Sequence, residues 1–157
     1  MDEYLLARTL HIVSALVLFG TGLGTAFHMF AACRSGDVPG IARVARQVVQ
    51  ADWLFTTPAA VVQPVTGLWL IHLAGHSFTA PWLVLTYLLY ILAGAAWLIV
   101  VVLQKDMERL AAVAARSGTA LPEVFDRRFR LWVQLGWVGF ASLAVVIVLM
   151  VAKPELG

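Results

Sequence analysis

The chain has 157 residues, of which 61% are hydrophobic and only 13% charged. That is too little polar surface to cover a water-exposed globule, for which about a quarter charged residues is usual. A formal net charge of +2, with no basic run interleaved with aromatics, excludes nucleic acid as a partner, and the lone Cys33 excludes an internal disulfide.

Four apolar stretches, at about 5–33, 53–74, 81–104 and 131–152, each reach the roughly 20 residues a helix needs to cross a hydrocarbon core. Backbone groups in lipid must be satisfied within the span, so each stretch predicts an α-helix. The stretches alternate too little for an outer-membrane barrel. The fold expected is all-α: a single-domain, polytopic four-helix transmembrane bundle over 1–157.

The first span carries His11, Ser14, Ala15, Leu18, Gly22, Thr25 and Met29 on one stripe, with Arg8 about one turn outward. His28 lies near its other end. Phe30 to Cys33 is similar to a lipoprotein cleavage site, but the apolar stretch is too long for a signal peptide and Asp2 and Glu3 are acidic, so a retained helix is expected. Gly20, Gly22 and Gly24 offer close helix packing or room for a flat cofactor. Residues 34–40 punctuate the chain with Gly and Pro. Residues 41–52 predict a helical lead-in, with Arg43 and Arg46 on its wet side.

The second span has Asp52, Thr56, Ala59, Gln63, Thr66 and Gly67 on one stripe, the expected interior face. His72 falls about 180° from Gln63 at 100° per residue, although Pro58 and Pro64 can bend the helix. Residues 75–80 predict a tight turn, and Pro81 suits a first helical position. The third span carries a Tyr90, Gly94, Trp97 stripe and continues as an amphipathic extension to Arg116. Ser117-Gly118 ends it, and Pro122 marks the linker to the fourth span. Trp53, Trp82 and Trp132 sit at span ends, the usual place of interfacial anchors. No internal repeat supports a duplicated transporter.

Nine of the eleven basic residues fall in the loops after the first and third spans, leaving Arg8 and Lys153 at the other end. The positive-inside rule then places both termini on the outer side, in a multi-pass protein of a bacterial cytoplasmic (inner) membrane.

His11 and His72 lie at similar depth and are candidate axial ligands for the iron of a b-type haem, with Arg8, Gly22 and Gln63 as further cofactor contacts. For His11 the alternative is a hydrogen-bonded histidine of the bundle; for His72 and His76 it is wetting by headgroups. Gln63 needs a partner, either Gln134, a Thr, or a quinone or porphyrin. Asp52 suits a salt bridge to Arg46 or to the cluster at Arg127, Arg128 and Arg130. No metalloprotease, Ser-His-Asp or phosphate-loop motif is present. Met29, Met107 and Met150 are too scattered for a copper cluster.

The string from Leu10 to Phe27, with Ala51 to Thr56 and Gln63 to Leu70, resembles a family of bacterial predicted integral membrane proteins of unknown function. That resemblance covers nearly the whole chain and implies a four-span fold. A more distant likeness, at Leu10-His11-Ile12, Thr66 to Leu70 and Lys153-Pro154, is to HemJ-type protoporphyrinogen oxidases and the copper-resistance D membrane domain. It implies haem b, His11 as a ligand and Lys153 as a functional lysine. HemJ-type proteins also carry a third-span histidine, where this chain offers Tyr87 and Tyr90. The function expected is haem binding in membrane redox chemistry or electron transfer. The alternative is a cofactor-free accessory or scaffold subunit of a larger membrane complex, and a homo-oligomer fits either.

Overall fold

The computed structural model describes residues 2–154 and is helical throughout, with no strand among them. Five α-helices follow in order: α1 (Glu3–Ser35), α2 (Val38–Ala51), α3 (Thr57–Leu73), α4 (Pro81–Ser117) and α5 (Glu123–Ala152), with a π-helical turn at Asp52–Thr56 joining α2 to α3. Four rods are long and apolar enough to cross a membrane, α2 and α3 together making one of them. Their lipid-facing surfaces are apolar, with Leu16, Phe27, Ile91 and Val151 exposed. A bilayer supplies the cover that water would deny such side chains.

The rods overshoot the bilayer at one end. The 37 residues of α4 span about 55 Å at 1.5 Å each, against about 30 Å of hydrocarbon. The expected lead-in and extension are these overhangs. α2 is amphipathic and buries Ile41, Ala42, Ala45 and Val48, with Met29, Met107, Ala111 and Phe125 in the same core. Glycines release the chain where the rods stop: Gly36 and Gly118 hold φ of +70° and +63°, a region open to glycine at little cost.

Within the bilayer the packing is paired. α1 lies against α3, α4 lies against α5, and α2 ties the pairs together at the overhanging end. α1 and α5 touch sparingly, where the Phe19 and Phe140 rings meet edge to face at 5.3 Å and those of Phe30 and Phe129 stack at 6.3 Å. The bundle is therefore two helix pairs with a cleft between them.

Several expectations are corrected here. Trp82 and Trp132 are buried rather than interfacial, and of the three only Trp53 is exposed, with Lys105 over its ring at 5.0 Å. Gly20 and Gly24 approach no other helix, because a side chain added there would meet open space. The fourth helix begins at Glu123, well before the predicted apolar span, as part of the overhanging core.

Candidate functional site

Two groups of polar side chains sit among apolar surroundings, and they differ in how fully they are satisfied. The first joins α1 to α3. Thr66 Oγ1 donates to the Val62 carbonyl at 2.7 Å and so accepts from His11 Nδ1–H at 2.9 Å. Gln63 Nε2 donates to His11 Nε2 at 3.1 Å, and the Ser14 hydroxyl donates to Gln63 Oε1. Gly67 makes room for the ring, since a Cβ there would stand 3.2 Å from His11 Cε1. Every polar atom of the His11 and Gln63 side chains that faces this contact has a partner within the chain, the state in which buried polar groups are stable.

His72 is exposed and takes no part in that network; the 180° phase to Gln63 was the correct guide. Both ring nitrogens of His11 are already engaged. The two histidines therefore do not fit a haem clasped between them, and Arg8 is likewise exposed on the surface of α1. His28 is exposed and pairs with Gln47 at 3.3 Å, while His76 stacks edge to face on Trp82 and meets Lys153 Nζ at 3.4 Å. Gln63 finds Ser14 and His11 rather than Gln134, which is exposed. No cluster of three or more His, Cys, Asp or Glu poised for a metal exists among the described residues.

The second group lines the cleft between the helix pairs, a cavity of about 740 Å³. This is within the range of about 300–1,000 Å³ typical of small-molecule sites. Aromatic rings supply much of its wall, among them Phe19, Phe30, Tyr90, Trp97, Trp132 and Phe140. Gly94, Gly136 and Gly139 keep it open, as a Cβ added at any of them meets nothing within 4 Å. Of the predicted cofactor contacts, Gly22 does reach this wall, close to Phe140.

Its polar groups gather toward the overhanging end. Asp52 and Gln104 are 6% and 5% exposed and both border the cavity. Asp52 Oδ1 accepts from the Thr56 hydroxyl at 2.8 Å, and Gln104 and Trp97 lie beside the carboxyl. The indole N–H of Trp132 has no hydrogen-bond partner, and that of Trp97 lies beside the Asp52 carboxyl without closing a well-formed bond to it. The expected salt bridge of Asp52 is not formed: Arg46 reaches Glu108 at 4.0 Å and Arg128 pairs with Asp106. Among the described residues, no lysine, arginine or histidine lines the cavity.

Local backbone places Asp52 there. Pro58 has no N–H to give to the carbonyl four residues earlier, and just before it the helix widens into the π turn of Asp52–Thr56, where the Thr57 N–H reaches back to Asp52 O. Such turns re-aim side chains and recur at functional sites. Gln104 and Trp132 were missed as site residues. Gln104 lies seven residues after Trp97, so the Tyr90, Gly94, Trp97 stripe already ran toward it.

The whole span of the chain answers to one known family. Over residues 5–154 it matches the family described as predicted integral membrane protein (DUF2269), and it belongs to that family. No curated protein and no solved structure matches it.

Proposed function

We propose that this integral membrane protein binds a membrane-dissolved ring molecule in the cleft between its helix pairs, and that any redox chemistry or electron transfer it serves is supplied by the bound molecule. The observation that carries this reading is the cavity itself: aromatic walls, glycines that hold it open, and a polar end where Asp52 meets no cation and the Trp132 N–H no acceptor. A site of mostly apolar lining with a few convergent polar groups is the usual form of a small-molecule pocket.

The wall also selects. A dicarboxylic porphyrin would bring its acids to a cavity without a cation and beside the Asp52 carboxyl, and haem iron would find no histidine, methionine or cysteine on that wall. Ring molecules without an acidic group, quinones among them, meet both conditions. The rival role, a cofactor-free scaffold subunit, is favoured by no feature of this cavity.

The test is to extract the protein from its native membrane into nanodiscs and analyse it by native mass spectrometry and absorption spectroscopy. The expected result is a bound small molecule that is displaced in Gly136→Leu, a change that intrudes on the cavity between its aromatic walls. It predicts no Soret band after expression with ample haem. A Soret band abolished by His11→Ala would overturn the reading in favour of haem, and an empty protein with stoichiometric partner subunits would overturn it in favour of a scaffold.

A further inference from the structure

The charge of the ligand is legible from what surrounds Asp52. A carboxyl held 6% exposed inside a membrane bundle carries a large desolvation cost when ionised, and the neutral groups around it, the Thr56 hydroxyl with Gln104 and Trp97, recover only part of that cost because none of them is a cation. The two ion pairs among the described residues, Arg46–Glu108 and Arg128–Asp106, leave Asp52 outside both. Lys105, next in sequence to Gln104, is turned away onto the exposed ring of Trp53. Among the described residues no cation is paired with Asp52, and the carboxyl borders a cavity large enough to admit one from outside.

The walls point the same way. Phe30, Tyr90, Trp97 and Trp132 line the same cavity as Asp52. Aromatic faces carry negative potential and stabilise a desolvated cation within about 6 Å, which is how quaternary ammonium groups are recognised. Among the described residues, no basic one stands on the lining to oppose the Asp52 carboxyl.

The geometry points to a lipophilic aromatic cation as the ligand of this cavity, its charge set against Asp52 and its rings between the aromatic walls. This inference rests on the cavity being a ligand site and adds the charge class. Asp52 acts here by direct contact with the ligand, while Gln104 and Thr56 hold its carboxyl in place.

The test uses the full chain in detergent micelles and two planar fluorescent probes of the same shape, N-methylacridinium, a permanent cation, and methylanthracene, its uncharged counterpart. Partition into protein-free micelles is subtracted. The wild type should bind the cation at least about tenfold more tightly, about 1.4 kcal/mol. Asp52→Asn should erase that preference while still binding the neutral probe, and Asp52→Glu should keep it. Equal or tighter binding of methylanthracene by the wild type would overturn the inference, as would a preference that survives in Asp52→Asn. If Asp52→Asn does not fold, the wild-type comparison decides alone. Saturable binding of the neutral probe only leaves the ligand cavity standing and removes the charge assignment. Binding of neither probe removes both.

Discussion

The His11 network and the Asp52 cavity are both polar islands in an apolar bundle, yet they have opposite accounts. Between α1 and α3, four side chains close a set of hydrogen bonds on one another, and Gly67 lets the imidazole seat against the helix. Between the helix pairs, a carboxyl without a cation and the unpaired indole N–H of Trp132 stand beside open volume. A histidine in a span drew attention in the sequence because ionisable groups in lipid are expensive. Where the structure settles that expense internally, the group is holding helices together. Where a buried carboxyl meets open volume without a cation, a ligand can supply what the chain does not.

The contrast can be broken most forcefully through the network. Gln63→Leu strips His11 Nε2 of its donor and leaves the Ser14 hydroxyl only the His11 carbonyl at 3.0 Å, and should lower stability by about 1–3 kcal/mol. A destabilisation measured by unfolding in detergent, with ring-probe binding unchanged, would bear out the structural role; lost binding at unaltered stability would make His11 part of the ligand site. A smaller effect sharpens the cavity side. Trp132→Phe removes a buried N–H that has no partner and also part of a buried ring; the two effects oppose, so stability should change by no more than about 1 kcal/mol in a thermal-shift assay. A loss far larger than the missing ring atoms account for would show that the indole nitrogen was paired. The smallest effect belongs outside both regions. Glu108→Gln breaks the long, solvent-screened contact to Arg46 and should change stability by about 0–1 kcal/mol, an effect reduced further by added salt.

Much of the fold was readable because lipid imposes one rule on every residue of a span. The four apolar stretches, the lead-in before Trp53, the extension to Arg116 and the stops at Gly36 and Gly118 all follow from hydropathy and glycine placement. The α3 stripe was also readable as an interior face holding Gln63, Thr66 and Gly67, but that His11 would meet it was not. What helical phase could not give was the distance between rods. The cleft arises because α1 pairs with α3 and α4 with α5, leaving α1 and α5 apart, and no periodicity within a single helix encodes that pairing. Asp52 looked like a boundary residue near arginines. Its inward aim depends on a π turn just before Pro58, and its isolation depends on Arg46 and Arg128 having found Glu108 and Asp106 instead. Trp132 was misread for a related reason: span ends normally meet headgroups, but here the rods overshoot and bury that level under α2 and the start of α5.

The central claim is that the space between the helix pairs is a binding cavity while the contact within the first pair is scaffolding. The most direct test compares the saturable binding of a planar fluorescent probe by Gly136→Leu and Gln63→Leu side by side, with unfolding followed on the same samples. The account predicts that Gly136→Leu keeps its stability and loses the probe, because its new side chain enters open volume, whereas Gln63→Leu loses stability and keeps the probe. Undiminished probe binding by a folded Gly136→Leu would contradict it.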